Sequence, residues 1–144
     1  MNTTQIDNVL PKHVKYFQDV YPIVHLPSTL IQPSIIVLNL NKHYMPSSHW
    51  VAACSSDSGY AEYLDLHGLP PYKLEIIALL QRQSISWTFN HHRQQGLTSK
   101  VCAHYCLIYA LNRGVGHTLK SFVDIFVPAR YTCNDKKAVR LFRA

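Results

Sequence analysis

The chain has 144 residues, 47% of them hydrophobic and 15% charged, with a formal net charge of +6. That is enough apolar material for one core in a single domain spanning residues 1–144, and it excludes a disordered chain. No apolar run approaches the ~20 residues of a membrane span, and Met1-Asn2-Thr3-Thr4-Gln5 lacks the basic-then-apolar layout of a secretory signal, so the expectation is an intracellular protein that is not secreted and does not enter a membrane.

In chain order, Gln5 to Leu10 reads as a short helix halted by Pro11. Residues 14–24 carry aromatics without a clean period and are expected to be extended or loop structure over the core. Pro27 and Pro33 bracket a connector. Ser34 to Leu40 is a continuous β-branched run, the pattern of a strand buried on both faces. Lys42 to Ser48 is a polar turn, followed by a strand from His49 to Cys54, a turn through Ser55–Gly59 and a strand from Tyr60 to Leu66. Pairing of these two strands symmetric about residue 57 would set His49 opposite Asp65.

Gly68-Leu69-Pro70-Pro71 ends that unit. A helix is expected from Tyr72 to Gln83, with Leu74, Ile77, Ala78 and either Leu80 or Gln81 facing inward. Ser86–Asn90 reads as a strand, with His91–Gln94 as its polar exit. A 3.6-period apolar pattern starts near Val101 and predicts a helix from Cys102 to about Arg113, with Gly114 as its C-cap. Thr118 is the N-cap of a helix reaching Phe126, stopped before Pro128, and Asn134 to Phe142 is a last, basic helix. The order reads as α+β, one central mixed or antiparallel sheet with the Cys102 helix packed against it.

Cys54, Cys102, Cys106 and Cys133 form no disulfide framework, and Cys54 and Cys133 read as structural or incidental. A zinc site through Cys102, His104, Cys106, His91 and His92 lacks the second matched pair that a zinc ribbon has, so no metal is expected. Charge is uneven: residues 1–99 hold six basic and six acidic side chains, whereas residues 100–144 hold eight basic and two acidic, a difference of +6 that accounts for the whole excess. A basic face of this kind either attracts a polyanion such as nucleic acid or serves as a solvated surface.

The chemistry concentrates at Cys102. At the first turn of a helix, unpaired N–H groups and the positive end of the dipole favour a thiolate, the form in which cysteine is a nucleophile. Cys106, one turn later, has its N–H already bonded and is expected to be buried. His49, opening one strand, and Asp65, ending another, supply a base and a carboxylate to orient it, and the Gln95 side chain is available to donate to an oxyanion.

These residues resemble the adenain-like cysteine proteases of adenoviruses and related DNA viruses and transposons, in the same clan as the SUMO-type deconjugating proteases. The likeness rests on His49-Trp50, Asp65 followed by Gly68-Leu69-Pro70-Pro71, Gln95 seven before Cys102 with Ser99 between them, and Cys106 one turn on. Asn39 at a strand end and Pro46-Ser47-Ser48 before the histidine also match, and the likeness covers roughly residues 14–127. The chain departs from the pattern at Ala103, where glycine is usual, at Leu66-His67, where a serine and an aromatic are usual, and at Pro46-Ser47, where a proline-glycine turn is frequent.

The resemblance implies a catalytic set of Cys102, His49, Asp65 and Gln95, and a polypeptide substrate, either viral or transposon precursor proteins cut at small or Gly-containing sites or a ubiquitin-like modifier. Trp50 would help wall a substrate tunnel, unless it is a large core residue. No resident cofactor is expected, with activation by DNA or a peptide as the family's device, nucleic acid reaching the basic C-terminal third, a monomeric state, and the host nucleus or the virion as location. A non-catalytic DNA- or capsid-binding member of the fold is the reading that Ala103 and Leu66-His67 keep open.

Overall fold

The structure, a computed structural model, describes residues 15–40, 49–91, 102–127 and 130–143, with Cys102, Phe142 and Arg143 as backbone only. The expected N-terminal helix, the turn at 42–48, and Gln94, Gln95 and Ser99 lie outside the described residues.

Five strands form one mixed sheet in sequence order: β1 (Phe17–Pro22), β2 (Ser34–Asn39), β3 (Trp50–Ser55), β4 (Tyr60–Leu64) and β5 (Ser86–Phe89). β2, β3 and β4 are antiparallel neighbours, and the outer strands β1 and β5 run parallel to β2 and β4. The aromatic stretch at 14–24 thus contributes an edge strand with its own ladder bonds.

All six residues of β2 and all six of β3 are buried, because the sheet is covered on both sides. On one side α1 (Leu74–Gln83) packs over Ile36, Leu38, Val51, Ala53, Ala61 and Tyr63. On the other, α2 (Cys102–Gly114), α3 (Leu119–Val123) and α4 (Tyr131–Arg143) cover Ile35, Val37, Trp50, Ala52 and Leu64. Successive strand residues face opposite sides, so one uninterrupted apolar run serves two cores.

Five features differ from the sequence expectation. Ala52 pairs with Leu64 and Ser55 with Ala61, which centres the hairpin on residue 58. The cause is a loop closed by Ser56 and Tyr60, whose backbone N–H and carbonyl meet at 2.9 Å. α1 begins at Leu74 and buries Ile76, Leu79 and Leu80, while Leu74 is 78% exposed. The run Leu74-Glu75-Ile76-Ile77-Ala78-Leu79-Leu80 carries two apolar stripes two residues apart, and packing on the sheet selects the later one. The turn that closes α2 runs on to Gly116, with φ +95, where His117 N–H donates to the Asn112 carbonyl and Gly116 N–H to that of Arg113. That is the paired closure of a helix whose terminator sits in the left-handed region, a place glycine fills without strain. α3 is capped by Thr118, whose hydroxyl accepts from Ser121 N–H at 3.2 Å, but it stops at Val123, and α4 starts three residues earlier than expected.

α2 is the central helix. Ala103, Tyr105, Cys106, Leu107, Ile108, Tyr109 and Ala110 are all buried, and Phe122 and Phe126 pack edge-on or tilted against Tyr109 and Tyr105. A buried carboxylate fixes its far end. Glu62 of β4 accepts from the Tyr109 hydroxyl at 2.8 Å and from Leu119 N–H at 3.0 Å, with Arg113 Nε at 3.3 Å. A negative charge at the first turn of α3 also meets the positive end of that short helix. α4 is tied down by Tyr105, whose hydroxyl donates to Asp135 at 2.7 Å, and by Asn134, which bonds both backbone groups of Val127.

Because Glu62 joins one strand to two helices, Glu62→Ala is expected to lower unfolding stability by roughly 3 kcal/mol, leaving the Tyr109 hydroxyl without its acceptor and Arg113 without its carboxylate. Urea unfolding of the two proteins checks this, and an unchanged midpoint would show that the network contributes nothing net.

Candidate active site

Two backbone features bring the histidine and the carboxylate together. His49 immediately precedes β3, and its carbonyl accepts from Leu40 N–H at 2.9 Å, which holds it beside the end of β2. Asp65 follows the last residue of β4 and opens a turn closed by Gly68, whose N–H donates to the Asp65 carbonyl at 2.8 Å and whose φ is +75. Extending the observed register places His49 opposite His67. A shift of two residues keeps the side chains on one face, so His49 reaches Asp65 diagonally: Nε2 lies 3.1 Å from Oδ1.

The carboxylate is held rigidly. Asp65 is fully buried, and its Oδ1 also accepts from the backbone N–H of His67 at 2.8 Å. Its own backbone is clamped by Asn90, just past β5, whose Oδ1 accepts from Asp65 N–H at 2.9 Å and whose Nδ2 donates to the Asp65 carbonyl at 2.5 Å. The Asn90 amide thereby extends the parallel β4–β5 ladder by one side-chain rung. His49 is 20% exposed, so its Asp65 side is dry while part of its ring reaches solvent. The His67 ring stacks on that of His49, with centroids 4.8 Å apart and planes inclined by 22°.

Cys102 is the first residue of α2. One turn later, Cys106 is fully buried. Burial pushes the Tyr63 hydroxyl up from its ordinary pKa, and Asp65, Tyr72 and Cys106 act in the same direction.

Of the residues singled out from sequence, the structure brings His49 and Asp65 into contact and sets Cys102 at a helix start; Gln95 lies outside the described residues. Trp50 is 4% exposed and belongs to the core beneath α2, which favours the packing role over that of a tunnel wall. Cys54 is buried beside Arg113, 3.3 Å from its Nε, and burial pushes its thiol pKa up. Cys133 is exposed on α4. Two site residues escaped the sequence reading. Asn90 gave no signal beyond ending a strand, and His67 stood only as a departure two places after the carboxylate.

Asn90→Ala removes both bonds to the Asp65 backbone, and a loss of about 1–3 kcal/mol in urea unfolding is expected. Stability equal to that of the parent would mean that the turn holds Asp65 unaided.

No protein-family model matches the sequence, and no curated protein matches it. Among solved structures, the chain is similar to the ASFV pS273R protease, with a TM-score of 0.52 at 19% identity over 74% of this chain and 41% of that one. The selenomethionine form of the same protease gives a TM-score of 0.52 and 19% identity over 72% and 42%. The chain spans about four-tenths of the length of that protease. It has the protease's α+β fold.

Proposed function

We propose that the chain is a cysteine endopeptidase of the SUMO-protease clan, of the adenain type, acting through Cys102, His49 and Asp65 with Gln95 as an oxyanion donor. The observation that carries this reading is the buried carboxylate bonded to one ring nitrogen of a part-exposed histidine, in a protease fold whose central helix opens with cysteine. With Nε2 turned to Asp65, Nδ1 is the nitrogen that exchanges a proton with the thiol.

In the proposed reaction His49 takes the thiol proton, and Cys102 Sγ bonds to the scissile carbonyl carbon as the carbonyl electrons move onto oxygen. The Gln95 side chain and the Cys102 N–H donate to that oxyanion. Collapse re-forms the carbonyl and breaks the C–N bond, and the leaving amine receives the proton from His49. Water then attacks the thioester while His49 takes its proton, the carboxylic acid departs, and the thiol regains the proton. Asp65 stabilises the imidazolium in both halves and keeps the ring oriented.

The proposed substrates are viral or transposon precursor proteins cut at small or Gly-containing sites. The basic C-terminal third, with Lys136 and Arg140 on α4, supports a nucleic-acid partner or activator for a monomeric enzyme working in the host nucleus or virion.

Gly-containing peptide libraries test the reading. Cys102→Ala is expected to abolish cleavage, and Asp65→Asn to lower kcat/KM by at least about 100-fold with a folded spectrum retained. Equal cleavage by Cys102→Ala would refute the assignment, and exclusive turnover of an amide at the C-terminal Gly-Gly of a ubiquitin-like modifier would reassign the enzyme as a deconjugase.

A further inference from the structure

The two oxygens of the buried Asp65 carboxylate are treated unequally. Both contacts made to it end on Oδ1, from the His49 ring at 3.1 Å and from His67 N–H at 2.8 Å. Oδ2 is buried and has no hydrogen bond among the described residues. A neutral group two residues earlier is in the same condition: the hydroxyl of Tyr63, a fully buried side chain, has no partner among them either. Buried polar atoms are paired in the great majority of cases, and an unpaired one costs its full desolvation, more so when charged.

The strand puts these two orphaned atoms on one face. Tyr63 lies in β4, and Asp65 follows the last residue of that strand. The Asn90 amide continues the β4–β5 ladder through the Asp65 backbone, so the two-residue alternation of side chains reaches Asp65. Residues two apart on a strand face begin ~6.6 Å from each other. Two oxygens bridged by one water stand roughly 4.5–5.5 Å apart, a span that fits this spacing. Ile36, Leu38, Val51, Ala53 and Ala61, in the same core as Tyr63, offer no side-chain acceptor. Burial keeps the phenol protonated, and Asp65 acts in the same direction. A donor without an acceptor therefore shares a face with an acceptor without a donor.

We propose that Tyr63 is a positioning residue for the carboxylate: its phenol supplies, through one ordered water, the donor that Asp65 Oδ2 lacks. The hydroxyl makes no direct bond to Oδ2, so the phenol O–H donates to the water oxygen and the water donates one O–H to Oδ2. With a donor on each oxygen, the carboxylate is held against rotation about its Cβ–Cγ bond, which keeps Oδ1 on the His49 ring. The link stands on the two orphaned atoms; its bearing on catalysis rests on the triad proposed above.

A double-mutant cycle in urea unfolding tests the link without recourse to activity. Tyr63→Phe removes the hydroxyl alone, and Asp65→Asn removes the charge it serves. Tyr63→Phe is expected to lower the midpoint by roughly 0.5 M in the parent chain and to leave it unchanged in Asp65→Asn. A midpoint that stays or rises in Tyr63→Phe overturns the proposal, because a phenol with no partner is no better than phenylalanine. An equal fall in both backgrounds also overturns it, since the hydroxyl would then serve another group.

With Gly-containing peptides, Tyr63→Phe is expected to lower kcat by at least about threefold with KM unchanged, the signature of a group that acts on the chemical step through Asp65. An unchanged kcat beside intact coupling overturns the positioning role. No cleavage by the parent chain, with the coupling present, refutes the protease reading and leaves the Tyr63–Asp65 link standing.

Discussion

A carboxylate buried at the end of a strand, and bonded there to a histidine that reaches the surface, is the constraint on which the rest of the architecture turns. An unpaired buried charge is costly. Asp65 offsets part of that cost through two acceptor bonds at Oδ1, to the His49 ring and the His67 backbone, while Oδ2 is buried with no hydrogen bond among the described residues and Asn90 clamps the main chain. The arrangement needs β3, β4 and β5 in register, since each supplies or adjoins one partner. The sheet is therefore part of the site and not only its support.

The second half of the fold is directed at the helix that opens with Cys102. Its buried face is nearly all apolar or aromatic, so its position is set by packing over several turns. Glu62 and Arg113 pin its C-terminal end to β4 and α3, while the Phe122 and Phe126 rings close over Tyr109 and Tyr105. A helix fixed along its length and at its tail presents its first residue at a defined place. That is what a nucleophile at a helix N-terminus requires.

Much of this is written in the sequence. The β-branched run Ser34–Leu40 announces a central strand, and the turn between Cys54 and Tyr60 announces the neighbour pair. The change to helical periodicity near Val101 announces α2. The resemblance to the adenain-like proteases named the histidine and the acid, and these two groups do touch. What could not be read depends on packing or on distant partners. Which stripe of α1 faces inward is decided by the sheet beneath it, because Ile76 and Ile77 are equally apolar. The hairpin centre moved from residue 57 to 58 because Ser56 and Tyr60 close the loop, and the histidine–carboxylate contact survived only because a strand's side chains repeat every two residues. Asn90 lies 25 residues from the backbone it clamps, and no local pattern in the chain announces that pairing.

The central claim is that the helix-opening cysteine is activated by the histidine that Asp65 holds. Its most direct test is the rate of iodoacetamide alkylation at each cysteine at pH 5.5, read by mass spectrometry, with exposed Cys133 as the reference within the same molecule. A free thiol of pKa near 8.5 reacts slowly at that pH. The account predicts modification of Cys102 at least about tenfold faster than of Cys133, and loss of that advantage in His49→Ala. Equal rates at Cys102 and Cys133 in the parent chain, or an advantage that survives removal of His49, would contradict it.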